Sequence, residues 1–340
     1  MNRFLALLYS RLDQPVIVAH RGDSFRAPEN TLEAARLARE AGASGWELDV
    51  QLTRDGVPII LHDESLLRTT DVAARFAGDP RGQGGFRVSD FDFDEVRSLD
   101  AGSWFVAAQG GPRSARDFGT LDRLDPAFVK HYVSGRVKIP SLSEALIFTR
   151  DHDWLINVEI KSFPEQPRDS VEPVLRVIDE TQTASRALVS SFDHRDIAAA
   201  NRPGREYALG ILAMTPLHRI ADYARDLVGA DTVHFSAEVV GSETISYRRL
   251  CSPQSLEGEL VADLNRCAIP VLVYTVNDFG PGSLADHLAA IGVAGLFTDD
   301  PNGMRRSFDM GGVEGRRGGD GCFLPDGDAP KVPSPRVGEG

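Results

Sequence analysis

The sequence predicts an α/β fold: a (β/α)₈ TIM barrel with a small subdomain inserted after its second strand region and a disordered C-terminal tail. Three observations lead there. Short apolar, β-rich runs recur eight times, at 16–20 (VIVAH), 45–53 (GWELDVQLT), 155–161 (LINVEIK), 187–192 (ALVSSF), 207–213 (YALGILA), 231–237 (DTVHFSA), 271–277 (VLVYTVN) and 295–298 (GLFT). Segments long enough for helices separate most of them, the alternation of a parallel sheet with helical crossovers. The span also fits: residues 15–305, less an insertion of about 70, leave roughly 220, near the ~250 typical of such a barrel. Finally, no glycine-rich phosphate loop follows the first run, as an open doubly wound sheet would favour.

Each element has its own signal. The start, MNRFLALLYSRLDQ, has a short apolar run but no long apolar core or small-residue cleavage site. No run approaches the ~20 apolar residues that span a bilayer. VIVAH reads as a buried strand. Asn30-Thr31-Leu32-Glu33 then resembles a helix N-cap with an acid three residues on, opening the helix TLEAARLAREAGA. In GWELDVQLT, Trp46, Leu48, Val50 and Leu52 alternate with Glu47, Asp49, Gln51 and Thr53, the period of a strand. Arg54-Asp55-Gly56-Val57 is a turn signal followed at once by PIILHD. That spacing is too short for a crossover, so PIIL is expected to fold back antiparallel. Residues 68–140 are rich in Gly, Asp and Arg without periodicity; a loop this long in a compact domain is usually a lid or a small subdomain. Residues 309–340, with many Gly and Pro and few large apolar side chains, read as a disordered tail.

Composition narrows the partners. The 340 residues are 42% hydrophobic and 26% charged, enough apolar material for one large domain or two smaller ones, and the strand pattern assigns residues 15–305 to a single barrel domain. A net charge of -13 argues against a nucleic-acid binder, which needs a basic surface, but leaves room for a small anionic substrate at a locally positive site. Cys251, Cys267 and Cys322 are scattered and form no CxxC, so neither a zinc knuckle nor a disulfide framework is expected. The protein reads as soluble and cytoplasmic, without stable membrane insertion. Its oligomeric state is not legible.

The chemistry gathers at strand ends. The first run closes with His20-Arg21-Gly22, the antiparallel piece with His62-Asp63, and LINVEIK puts Asn157, Glu159 and Lys161 on one face. Glu47 and Asp49 alone fit a half-exposed antiparallel strand with a wet face. A barrel strand has no wet face, and a carboxylate there loses hydration worth several kcal/mol unless something pairs with it. Glu47, Asp49 and Glu159 converging at the mouth would repel one another. One divalent cation removes the conflict, and oxygen-only ligands suit Mg²⁺ or Ca²⁺. The competing account is a salt-bridge network with Arg21 and Lys161. His20 and His62, titrating near neutrality, suit proton transfer. Asp63 either orients His62 or caps the turn. Phe192 and Tyr274 are candidates for the wall of a substrate pocket, with ordinary packing as the rival reading. Trp104 is a candidate for closing the site or anchoring the core; His194 and His234 read as structural or surface.

The stretch AHRGDSFRAPENTLEAARLAREAGASGWELDVQLTRDGVPIILHDESLLRTT, with HRG, PENT, ExD, TxDGxPxxxHD and LxRTT in order, resembles the glycerophosphodiester phosphodiesterases. LDAGSWF (99–105), IPSLSEAL (139–146), VEIK (158–161), VYTVND (273–278) and GLFTDDP (295–301) extend the resemblance over residues 15–302. Many ordered elements make a far more specific signal than one short motif. The resemblance implies a (β/α)₈ barrel with an inserted subdomain, and metal-dependent hydrolysis of a glycerophosphodiester to sn-glycerol 3-phosphate and an alcohol. It implies Glu47, Asp49 and Glu159 as metal ligands, His20 and His62 as the acid/base pair, and Arg21 and Lys161 as phosphate holders. Tyr274 stands where many relatives place tryptophan, and the insertion at 106–138 is longer than a minimal member's; both bear on substrate range. Two alternatives share the site: a phospholipase-type enzyme acting on lysophospholipid or sphingolipid head groups, and a non-catalytic phosphodiester-binding barrel.

Overall fold

The structure is a computed structural model that describes residues 1–10, 14–107, 124–163, 170–240 and 256–314. Among these residues nine strands form one sheet. They are β1 (Val16–Ala19), β2 (Gly45–Leu52), β3 (Pro58–Ile60), β4 (Leu155–Ile160), β5 (Ala187–Ser191), β6 (Ala208–Ala213), β7 (Thr232–Ser236), β8 (Val271–Tyr274) and β9 (Gly295–Thr298). The order β1-β9-β8-β7-β6-β5-β4-β2 is parallel throughout, and β1 pairs with β2 to close the barrel. β3 returns antiparallel along β2, with Val50 opposite Ile60. All eight runs expected in the sequence are barrel strands, and PIIL is the antiparallel addition.

Two apolar layers follow from the two strand faces. Outward-facing Trp46, Leu48, Val50, Ile156, Val158 and Ile160 pack under the surrounding helices. Trp46 donates to Thr149 Oγ1 at 2.8 Å and stacks on Trp154, ring centroids 6.3 Å apart. The inward face is apolar only at the bottom, where Val16, Val18, Leu155, Leu188, Ala208, Leu272 and Phe297 cluster.

The first residues seal that bottom. The helix Arg3–Ser10 sends Phe4 and Leu8, both buried, into the inner cluster. Asn2 Nδ2 donates to the carbonyls of Ala184, Ala187 and Glu206 at 3.0–3.2 Å, which fixes the helix across the floor. The short apolar run at the start is therefore a plug for the barrel.

The helix after β1 spans Leu32–Glu40, and its N-cap is Thr31, whose hydroxyl accepts from Ala34 N at 3.2 Å. Asn30, read in the sequence as part of the cap, serves the site instead. Segment 68–140 carries short helices at Val72–Arg75, Phe93–Ser98, Ser103–Ala107 and Pro126–Tyr132. Leu66, Val72, Phe86, Val88, Phe91, Val96 and Leu99 make a small core against Ile59 and Leu61 beside β3. Phe105, Leu124, Tyr132 and Val137 make another, against Ala34 and Leu37 of the first crossover helix. Residues 108–123 lie outside the described residues. The tail expectation is corrected at its start: a helix runs Pro301–Glu314, six residues into the segment read as disordered, anchored by buried Met304 and Phe308. Residues 315–340 lie outside the described residues.

The plug is expected to matter for stability. Phe4→Ala should cost about 3–5 kcal/mol, the usual range for deleting a buried phenyl ring, read as a lower midpoint in urea unfolding; an unchanged midpoint would show that the helix does not seal the barrel.

Candidate active site

The site is built from inward-facing positions at the carboxyl ends of the strands. In a parallel ladder, register partners share a face, and the β2–β4 register sets Glu47 beside Asn157 and Asp49 beside Glu159. Glu47, Asp49 and Glu159 are all buried, and one ligand oxygen from each lies within 4.8 Å of the others. The strand alternation that gave GWELDVQLT its two like charges thus directs both into one chamber. The next inward residue, Gln51, donates to the carbonyls of Leu61 and Asp63 at 2.7 and 2.6 Å and pins the segment that carries His62.

The turn after β1 completes the chamber. Arg21 takes a left-handed conformation, φ 57°, and its amide donates to Glu47 Oε2 at 2.9 Å. Gly22 follows at φ +82°; a Cβ there would sit 2.6 Å from Ala34, so the close approach of turn and helix needs glycine. Asn30 Nδ2 donates to Asp49 Oδ2 at 2.8 Å, while its Oδ1 accepts from Asp49 N at 3.2 Å. Glu29 accepts from Arg21 Nη1 at 2.8 Å.

The charges do not balance internally. Arg21 Nε lies 3.2 Å from Asp49, and Lys161 Nζ lies 2.9 Å from Asp49 and contacts Glu159. The expected salt-bridge network is therefore present, but it sets two cations against three carboxylates. Arg21 is also shared with Glu29. Glu47 Oε1 is buried without a hydrogen-bond partner among the described residues. Burial, then the neighbouring charges of Asp49 and Glu159, push the Glu47 carboxyl well above its ordinary range, more than Arg21 and Lys161 offset. Asp49 is also driven up by burial, yet Lys161 and Arg21 hold it well below the usual range. Lys161, destabilised by burial, is held charged by Asp49 and Glu159. An all-oxygen cluster with one uncompensated carboxylate has the composition of a divalent-metal site.

Each histidine is anchored by a carboxylate. His20 Nδ1 lies 2.7 Å from Asp299 Oδ1, and Ser24 Oγ and Asn277 Nδ2 donate to the same carboxylate at 2.9 and 2.6 Å. Burial raises Asp299, but His20, Asn277 and Arg21 bring it down to about 2. His62 Nδ1 lies 2.7 Å from Asp63 Oδ1. Burial again opposes ionisation of Asp63, and His62 and Arg68 hold it far below the carboxylate range.

A sequence model of the Glycerophosphoryl diester phosphodiesterase family matches residues 20–303, from the first of these histidines to beyond Asp299. The chain belongs to this family. A glycerophosphodiester phosphodiesterase of Caldanaerobacter subterraneus subsp. tengcongensis is 34% identical over 197 residues, 58% of this chain and 66% of that protein. One of Bacillus altitudinis is 28% identical over 287 residues, 84% of this chain and 95% of that protein. In fold, the chain is similar to an Oleispira antarctica phosphodiesterase solved in complex with the product sn-glycerol-3-phosphate; the TM-score is 0.66 at 24% identity, covering 89% of this chain and 99% of that one. As a glycerophosphoryl diester phosphodiesterase family member, this chain is a phosphodiesterase enzyme. No helix among its described residues is long and apolar enough to cross a membrane.

The remaining candidates of this family member sort by position. Phe192 and Tyr274 meet edge to face, centroids 5.8 Å apart, and Lys161 Nζ is 5.9 Å from the Phe192 ring. They stand beside the acidic chamber, with Phe192 exposed to the mouth. Trp104 reaches from the inserted segment to Arg68. His194 bonds Tyr223 Oη and the Leu212 carbonyl, both at 2.9 Å, and is structural. His234 is buried inside the barrel against Thr232 and Phe297, and burial lowers it to about 3, so it stays neutral. Glu29, Asn30, Gln51, Asn277 and Asp299 were not read as site residues from the sequence, although PENT, the strand GWELDVQLT, VYTVND and GLFTDDP contain them.

Glu47 yields a signed test. A carboxyl raised on folding favours the folded state while protonated; that contribution is full below the unfolded value of ~4.3 and is lost as pH rises through the folded value. With chelator, Glu47→Gln should therefore melt higher than the parent at about pH 7.5, the gap closing by about pH 4. With excess divalent cation the parent should regain the advantage. Melting curves at both pH values, with and without cation, check this.

Proposed function

We propose that this chain hydrolyses a glycerophosphodiester to sn-glycerol 3-phosphate and an alcohol, using one divalent cation, Mg²⁺ or Ca²⁺, held by Glu47, Asp49 and Glu159, with His20 and His62 as the acid/base pair. The observation that carries the reading is the uncompensated three-carboxylate chamber set among two carboxylate-anchored histidines. When bound, the cation stabilises negative charge on phosphoryl oxygens.

The chain's own residues do the rest. Ionised Asp299 and Asp63 can only accept hydrogen bonds, so each commits the Nδ1–H of its histidine. That leaves Nε2 of His20 and of His62 for proton transfer, one nitrogen to take the nucleophile's proton and the other to give one to the leaving alkoxide. Arg21 and Lys161, already drawn to the chamber by its acids, supply positive charge to the non-bridging oxygens. Phe192 and Tyr274 form a wall for the apolar edges of the substrate. The relatives' names and the bound product of the Oleispira protein support this substrate class.

A second reading has one observation in its favour. Phe192 and Met214, just beyond the carboxyl ends of β5 and β6, are both exposed, which gives part of the mouth an apolar rim suited to a lysophospholipid. A panel of glycerophosphocholine, other glycerophosphodiesters and lysophosphatidylcholine, crossed with Mg²⁺ and Ca²⁺ and scored by glycerol 3-phosphate release from the diesters and by choline release from lysophosphatidylcholine, separates the two. Release from glycerophosphocholine, abolished by EDTA and restored by one of the ions, is the expected result; full activity after prolonged chelation would remove the cation from the proposal. Separately, His20→Ala and His62→Ala should each lower kcat about 10²-fold or more, the scale of general acid–base catalysis, and turnover at the parental rate in both would end the acid/base assignment.

A further inference from the structure

Arg68, the first residue of the inserted segment, joins two carboxylates that serve different parts of the site. Its guanidinium donates four hydrogen bonds: Nη1 to Glu29 Oε2 at 2.8 Å, Nη2 to Glu29 Oε1 at 2.7 Å, Nη2 to Asp63 Oδ1 at 3.0 Å, and Nε to Asp63 Oδ2. Asp63 Oδ1 is the oxygen that meets His62 Nδ1. Glu29 is also the acceptor for Arg21, which reaches on to Asp49. A continuous path, His62–Asp63–Arg68–Glu29–Arg21–Asp49, thus runs from one histidine to the acidic chamber with every link at hydrogen-bond or ion-pair distance. Trp104, from the same inserted segment, lies over the guanidinium at 5.9 Å.

The geometry of the fork gives Arg68 a role that charge alone would not. A carboxylate held only by one imidazole can turn about its own axis and let the ring tilt. Arg68 grips both oxygens of Asp63, which fixes the carboxylate plane and with it the direction of His62 Nε2. Its other edge grips both oxygens of Glu29, whose side chain is only 3% exposed, so the fork is itself anchored on a buried carboxylate in the turn after β1. A lysine offers a point charge without this planar, doubly bidentate grip. Asp299, the partner of His20, is oriented by the neutral donors Ser24 and Asn277 instead.

We propose that Arg68 is a positioning residue for His62, acting through Asp63 and anchored on Glu29, and that the inserted segment shapes catalysis by presenting it. This rests on the reading of His62 as an acid/base residue, so the test carries a control for that reading. Steady-state kinetics with glycerophosphocholine and the activating cation are compared for the parent, His62→Ala, Arg68→Lys, Arg68→Gln, Asp63→Asn and the Asp63→Asn/Arg68→Gln double variant. Arg68→Lys and Arg68→Gln are expected to lose about 10- to 100-fold in kcat, the scale on which orienting partners act, with the larger share of the change in kcat rather than KM. Arg68→Lys keeps the positive charge and the apolar stem, so it serves if Arg68→Gln does not fold. A residue that acts through Asp63 has little left to remove once Asp63 is altered: in the Asp63→Asn background the added loss should shrink to within about threefold. Parental kcat in both Arg68 variants, or the same fold-loss in the Asp63→Asn background as in the parent, would overturn the inference while leaving the acid/base reading intact, provided His62→Ala is slow. If His62→Ala turns over at the parental rate, the reading of His62 fails first and the inference with it.

Discussion

Everything at the mouth of this barrel depends on how buried negative charge is neutralised. A carboxylate taken out of water loses several kcal/mol of hydration unless a partner replaces it. Here Glu47, Asp49, Glu159 and Glu29 are all buried within one small region. Arg21, Lys161 and Arg68 meet most of that charge, and backbone and amide donors meet part of the rest. The remainder, concentrated on Glu47, gives the chamber an appetite for a dication. A site already neutral within itself would have no such appetite.

The barrel makes this arrangement rigid. Asp49 and Glu159 are register partners in a parallel ladder, so the pairing of β2 with β4 fixes the backbone positions from which both side chains project. The amide of Lys161 bonds the Val50 carbonyl, which carries that ladder one residue past the acids. His20 and His62 stand on short segments just beyond strand ends, and both are held by contacts from elsewhere: Asp299 from the loop after β9, Gln51 from β2. Precision in the loops is borrowed from the strands.

The part of this plan that was legible in the sequence is the part written in local periodicity. Alternation of period two marked the strands and put Glu47 with Asp49, and Asn157 with Glu159, on shared faces; the turn at Arg54–Val57 marked β3. Asp63 beside His62 could be offered as its partner because the two are neighbours in the chain, but the long-range supporting contacts were not legible, because nothing local announces them. Asp299 meets a histidine 279 positions away, and Arg68 meets Glu29 across 39. Asn30 looked like a helix cap because asparagine is good at capping, yet Thr31 one residue on took that role and released the Asn30 amide for Asp49. The insertion hid its organisation for a similar reason: its helices are too short to show a period, and their cores close against β3 and the first crossover helix rather than within a single element.

The floor plug sets an order of events on the chain. The three carbonyl acceptors of Asn2 lie 182, 185 and 204 positions further along the chain. The polar anchoring of the plug is therefore complete only once the segments leading into β5 and β6 are in place, while Phe4 and Leu8 also pack on Val16, Val18 and Leu155. The plug's seating therefore records that the barrel has closed around β5 and β6.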